Sequence, residues 1–250
     1  MSIQAQAHLE TLFILEGRCI VSTREPNPGR GPEFVLIRRA DSCAWALGSG
    51  MGAEQAREVG RLALDEQPTS DFRCPPKHIE EYLQILGGEF VSGPAFEFPE
   101  RLPLFEEAVL IEDVERLQGS FNGWTADDLP ASSPIMAIVE DGAPICVCFS
   151  SRVSELVAEA GLETAPEFRG RGMAGLATAA WAAAIQASGR TPIYSTSWSN
   201  GPSLAVASKL GLVACASYWS LYAKADLRGP AYTVIRPNGA DGSARSALSC

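Results

Sequence analysis

The stretch FRGRGMAG, residues 168–175, follows a strand-like run, opens a helix-like one, and admits two readings. Gly170, Gly172 and Gly175 fit G-x-G-x-x-G, the glycine pattern of a dinucleotide-binding turn. Arg169, Gly172 and Ala174 fit R-x-x-G-x-A, a turn for a different phosphate-bearing cofactor. Both readings rest on the same physics. The first amides of a helix are unpaired and carry partial positive charge, so they bind phosphate, and glycine lets the backbone come close because it has no Cβ. The dinucleotide reading also demands an acid at the end of the next strand, about 20 residues on. That stretch, ASGRTPIYSTSWSN at 187–200, contains none. At least two strand-like runs also precede the turn directly, where the dinucleotide pattern belongs on the first strand of its domain. A P-loop is excluded because no Gly-Lys-Ser/Thr follows.

Working outward, PIMAIV (134–139), the turn EDGA and PICVCFSS (144–151) read as a β-hairpin, and SELVAEAGLETAP (154–166) as the strand entering the glycine turn. Beyond the turn, Met173, Leu176, Ala177, Ala180, Trp181 and Ala184 recur at helical spacing in an alanine-rich run almost free of charge, a helix packed on most sides. TPIYSTSW (191–198) is a strand, SNGPSLAVASKLG (199–211) a short helix capped by Asn200 or Ser199 and closed by Gly211, and LVACASYWSLY (212–222) a last strand.

The first hundred residues read as mixed α/β. TLFILEGRCIVST (11–23) and EFVLIRRA (33–40) look like strands joined by the loop EPNPGRGP, with helices at 52–66 and 75–88. PAFEFPERLP (94–103) is proline-rich and extended, a candidate linker; 104–121 resembles a helix, and 122–133 a polar loop. The two blocks FRGRGMAG and SNGPSLAVASKLG, in this order and separated by one helix and one strand, resemble the GNAT superfamily of acyl-CoA-dependent N-acyltransferases over residues 135–222. The carrying positions are Thr164, Pro166, Arg169, Gly170, Gly172 and Ala174, then Asn200, Ser203, Ala207, Lys209, Leu210 and Gly211.

That resemblance implies a mixed α/β (α+β) fold with a mostly antiparallel central sheet flanked by helices. It implies a divergent α/β region at 1–103, an acyl-CoA-binding domain at 104–226 and a tail at 227–250. Acetyl-CoA or another short acyl-CoA is the implied co-substrate, with no metal, and a primary amine the acceptor. Amides from Gly170 through Arg171, Gly172 and Met173 to Ala174 would wrap the pyrophosphate, with Arg169 or Arg171 adding a charge-assisted hydrogen bond. Leu162, Glu163 and Thr164 would lie beside the thioester, and Asn200 and Ser203 would contact the pantetheine or the leaving thiol. An N-cap role suits Asn200 equally. Gly175 lies inside the helix and eases packing.

The amine must lose a proton to a carboxylate, directly or through water. Glu159 and Glu163 are both candidates, four residues apart and so on one strand face. Many relatives carry a tyrosine acid where this chain has Ser208; Tyr218 or Tyr222 are replacements. The acceptor would enter opposite the CoA, near Trp124. The alternative is a non-catalytic GNAT-like module that binds CoA and a partner.

Composition bounds these readings. The chain has 250 residues, 46% of them hydrophobic, enough for one large domain or two small ones. Twenty basic against thirty acidic residues leave a net charge of −10, a surface that repels nucleic acid and anionic lipid. No apolar run approaches the roughly 18 residues of a membrane span. The first residues lack a signal-peptide pattern. Seven scattered cysteines read as reduced thiols in a cytoplasmic protein. The expected partner is a small-molecule amine, with neither nucleic acid nor membrane, and the chain is a monomer or homodimer.

Overall fold

The computed structural model describes residues 3–102 and 107–223. Among these residues, seven α-helices and eleven β-strands follow in chain order: α1 (Ala5–Leu12), β1 (Phe13–Glu16), β2 (Cys19–Thr23), β3 (Phe34–Arg39), β4 (Cys43–Gly48), α2 (Ala53–Ala63), α3 (Ile79–Leu86), β5 (Glu89–Glu97), β6 (Ala108–Leu110), α4 (Val114–Gln118), α5 (Asp128–Ser132), β7 (Met136–Glu140), β8 (Ala143–Val153), β9 (Val157–Thr164), α6 (Met173–Ala187), β10 (Thr191–Ser195), α7 (Gly201–Lys209) and β11 (Val213–Tyr222). The strands form one sheet in the order β1-β2-β4-β3-β11-β5-β10-β9-β8-β7-β6. Only β2–β4 and β9–β10 are parallel, so the sheet is mostly antiparallel. No described helix is long and apolar enough to cross a membrane.

The sheet runs unbroken through the stretches 1–103 and 104–226, because β11 lies between β3 and β5 while β5 lies between β11 and β10. The 94–103 segment is therefore no free linker up to Glu97: Pro94, Ala95, Phe96 and Glu97 finish a central strand. Three further expectations need correction. Residues 11–23 are the end of α1 and a tight hairpin turning at Gly17 (φ 63°), not one strand. Of the stretch 104–121, the described residues 107–121 hold β6 and the short α4 in place of one helix. The loop 122–133 contains α5, and Trp124 is buried edge-on against Phe149, a core anchor in place of an entrance. In each case tertiary pairing overrode a local pattern. The 227–250 tail lies outside the described residues. The 140–143 turn carries Asp141 and Gly142 with φ of 51° and 82°, the backbone a two-residue hairpin turn needs.

One sheet face carries α2, α3, α6 and α7. On it, Trp181 and Ile185 of α6 pack on Ala158, Ala160, Cys146 and Cys148. Trp181 is fully buried and donates Nε1–H to Ser150 Oγ at 3.1 Å. The other face carries α1, α4 and α5. Leu9 and Leu12 of α1 pack on Val35, Ile37 and Ala46, while Ile3 and Ala7 pack on Val157 and Ile193. Helix α1 thus ties the first and second halves of the sheet together across this face, with Thr11 Oγ1 2.9 Å from Ser154 Oγ.

Strands β9 and β10 pair only at Val157–Thr191, Ala158–Pro192 and Glu159–Ile193. Beyond Ile193 the chain stays with β5: Tyr194 faces Phe96, Ser195 faces Ala95, and the amides of Thr196 and Trp198 donate to Pro94 and Ser92 carbonyls at 3.2 and 3.3 Å. A Cβ at Gly93 would sit 1.8 Å from the Thr196 carbonyl oxygen, so only glycine permits this continuation. The result is a gap between the second half of β9 and the chain after β10.

Two tests follow from this packing. Gly93→Ala should lower unfolding free energy in urea by roughly 2 kcal/mol or more through overpacking. Gly119→Ala, whose Cβ would meet nothing within 4 Å, should stay within about 0.5 kcal/mol. His8 on α1 is 1% exposed, and burial pulls its imidazole from 6.5 down to about 4, with Glu159 opposing the shift and Arg39 and Arg152 assisting it. The folded protein therefore holds His8 neutral while the unfolded chain protonates below pH 6.5. Its contribution is complete above that pH and lost as pH falls toward 4, by about 3 kcal/mol. Stability of His8→Gln, followed by denaturant titration across pH 7 to 4, should fall less steeply than that of the parent; an equal slope would contradict the assignment.

Candidate functional site

Between β9 and α6 the chain makes a 3₁₀ turn at Pro166–Phe168 and then the glycine loop. Arg169 folds back, its Nε donating to the Thr164 carbonyl at 3.1 Å, which pins the loop to the end of the strand. Gly170 and Gly172 take φ of 79° and 87°, and Gly172 is the left-handed N-cap of α6. A Cβ at either would meet nothing within 4 Å, so what excludes other residues is the backbone conformation itself. No side chain caps α6, which leaves the first-turn amides that follow Gly172, starting with Met173 and Ala174, to be met from outside. Arg171 stacks over the Phe168 ring at 4.8 Å and lies 3.7 Å from Glu140, half exposed, so it flanks the loop. Gly175 sits in the helix, its would-be Cβ 3.8 Å from Leu210, the residue that follows α7.

The backbone of β9 supplies the second part. The Leu156 carbonyl accepts from the Thr191 amide on β10. Strand alternation then turns the amide and carbonyl of Leu162 to the same side, into the gap that β10 leaves. Thr164 closes this edge, its Oγ1 3.1 Å from Cys146 Sγ. Asn200 caps α7, Oδ1 accepting from the Ser203 amide at 3.2 Å, and the Ser203 hydroxyl bonds the phenol of Tyr194. Tyr194 is buried under α6, and that burial pushes it up to about 12. Loop, strand edge and the start of α7 thus stand on the elements bordering the gap.

The glutamates lie on the opposite sheet face, both on the same side, as their spacing requires. Glu163 is half-buried opposite Val147. Glu159 is 4% exposed at the last β9–β10 pair and is tied at both oxygens: Arg152 Nη1 donates to one, Ser195 Oγ to the other. Burial alone would raise this carboxyl, but the Arg152 charge and the Ser195 hydrogen bond outweigh it and hold Glu159 below the ordinary range. Arg152 Nη2 also donates to Glu25 from the loop between β2 and β3. Burial disfavours the guanidinium charge, and the two carboxylates more than restore it.

Tyr218 of β11 pairs with Gly93 and Ile37 on this face. Burial, with the nearby Glu159 charge second, holds its phenol well above its usual value, so it stays protonated at neutral pH. Ser208 is exposed on the outer side of α7. The reading from sequence missed Arg152, Glu25, His8 and Ser195. They are dispersed over 188 positions on separate elements, and no local spacing marks them.

A recess of about 360 Å3 adjoins the loop, lined by Gly119, Ser120, Pro144, Pro166 and Phe168, with Glu140, Asp141 and Glu167 on its rim. Its acidity disfavours phosphate, leaving the amide side of the loop for an anion. Among the described residues no group of three His, Cys, Asp or Glu is arranged to hold a metal.

Residues 133–221 match the family model for GNAT acetyltransferases. Similar solved structures include a GNAT-family protein from Novosphingobium aromaticivorans, at 19% identity over 86% of this chain and 92% of that one, TM-score 0.49. A GCN5-related N-acetyltransferase from Sphaerobacter thermophilus shares 13% identity over 74% of this chain and 73% of that one, TM-score 0.45. A tandem GNAT protein from the clavulanic acid biosynthesis pathway shares 13% identity over 81% of this chain and 77% of that one, TM-score 0.45. Among curated proteins nothing matches the chain. The stretch 133–221, which holds the glycine loop, the strand before it and the capped helix after it, is the part of the chain that matches the GNAT acetyltransferase family model.

Proposed function

We propose that the protein moves an acetyl or other short acyl group from acyl-CoA to a primary amine by direct attack, and that it works in the cytoplasm. The observation that carries this reading is the gap beside β9 with an uncapped helix N-terminus at its end. A bound acyl-CoA would supply an activated thioester. The residues present fit such a group: Gly170 and Gly172 leave open space over the amides from 170 to 174, as a pyrophosphate requires. The Leu162 amide and carbonyl offer a strand edge to an extended pantetheine arm, and the same amide can meet negative charge developing on a carbonyl oxygen.

On the opposite face the acceptor amine must be held and deprotonated. Glu159 is ionised but tied to Arg152 and Ser195, so it suits holding an ammonium by charge better than accepting its proton. Glu163, four residues further along β9 and beside the gap, is the better-placed base. Tyr218 keeps its proton until a thiolate needs one. The tie on Glu159 and the exposed Ser208 also favour a second reading, a CoA-binding module without turnover. Thiol release from acetyl-CoA across broad amine classes separates the two: tight CoA binding with no release for any amine would favour the module.

For the loop, Gly172→Ala should cost about 1–2 kcal/mol of CoA affinity by forcing a left-handed backbone on a side chain. Gly172→Asp should abolish binding in calorimetry by adding repulsion; retained affinity would remove the loop from the site. For the chemistry, Glu163→Gln and Tyr218→Phe should each lower kcat about a hundredfold without changing CoA affinity or stability. Glu159→Gln should also destabilise the fold, because Arg152 loses half its compensation. Unchanged kcat in Glu163→Gln would remove it as the base.

A further inference from the structure

The guanidinium of Arg152 lies between a fixed carboxylate and a replaceable one. Glu159, on β9, is 5% exposed and is held by Ser195 as well. Glu25 is 22% exposed and comes from the loop between β2 and β3, outside the family-matched stretch. Nη1 serves Glu159 and Nη2 serves Glu25, whereas Nε is buried with no hydrogen-bond partner among the described residues. Nε and Nη2 form one edge of the planar fork, the edge that takes both oxygens of a carboxylate at once. A buried donor left unmade is costly and is rarely tolerated without a reason. Glu25 fills half of this edge.

Resting on the acyltransferase reading, we propose that the acceptor is an amine that also carries a carboxylate, an amino acid, and that its carboxylate takes the Nε–Nη2 edge of Arg152 in place of Glu25. Exchanging one carboxylate for another leaves the charge of the cluster unchanged and satisfies Nε. A plain amine cannot displace Glu25 and gains nothing from Arg152. The geometry directs the acceptor to the reacting region, because the same guanidinium is fastened to Glu159 at the last β9–β10 pair, where the gap opens. Arg152 is then a specificity-determining residue and Glu25 its resident competitor.

The test measures thiol release from acetyl-CoA by the full chain with matched acceptors: glycine and methylamine, β-alanine and ethylamine, γ-aminobutyrate and propylamine, leucine and isopentylamine. For at least one spacing the amino acid should exceed its amine by about tenfold or more in kcat/KM, the worth of one charge-assisted pair. Glu25→Gln should lower KM for that amino acid severalfold and leave the matched amine unchanged. Arg152→Met should erase the preference; if it fails to fold, the Glu25→Gln comparison stands alone. Amines used as well as amino acids throughout, or a Glu25→Gln shift common to both, would overturn the inference while leaving acyl transfer to amines intact. No release with these or any other amine class would instead overturn the acyltransferase reading.

Discussion

The Thr196 carbonyl occupies the space that a side chain at position 93 would need. This exclusion governs the functional half of the molecule. It lets the chain beyond β10 stay paired with β5 and so depart from β9 after three residue pairs. Without that departure the backbone edge at Leu162 would be consumed by an ordinary ladder, and the amides at the start of α6 would border a closed sheet. The gap is therefore not a property of the family-matched stretch alone. Its far wall is built on β5, a strand contributed by the first hundred residues, and β11 returns to pack beside that same strand.

The two faces of the gap carry opposite chemistry for a physical reason. On the α6 face, small residues at Ala158, Ala160, Ala177 and Ala182 let helix and sheet approach closely and leave the binding capacity to backbone groups. On the α1 face, charged side chains are buried and must be compensated. Glu159, Arg152 and Glu25 do this in a chain of contacts, and Arg39 with Glu97 form a second pair at 2.6 Å. Such networks contribute little net stability but are expensive to break, since loss of one member strands a charge. They hold geometry, and here they hold it beside the point where the strands part. His8 completes the cover as a neutral ring, because burial disfavours its charge and Arg39 and Arg152 add to that effect.

Much of this was legible from residues 134–222. The hairpin at Asp141-Gly142, the strand into FRGRGMAG, the alanine-rich helix and the Asn200-capped helix all carry their instructions within a few neighbours, as turn conformation, period or cap. The first half was read less well for the converse reason. The hairpin at 13–23 resembled one strand because its apolar segments, Phe13–Leu15 and Cys19–Val21, are separated only by Glu16-Gly17-Arg18. PAFE at 94–97 resembled a linker because proline is seldom central in a sheet, yet Pro94 pairs with Ser217 and its carbonyl accepts from the Thr196 amide. Trp124, in a polar stretch, gave no local sign that it anchors a core with Phe149.

The sequence by itself determined the glycine loop, since left-handed backbone at 170 and 172 is a local demand that glycine alone meets without strain. It also determined the pair of motifs that mark the acetyltransferase segment. Tertiary structure decided the rest of the site. It decided that Glu159 is tied to Arg152 and Ser195, that Tyr218 comes to the glutamates' face, and that Arg152 meets a carboxylate 127 positions away. These outcomes follow from which strand lies beside which, and strand order is set by the burial of the whole sheet, a quantity that no short stretch of residues contains.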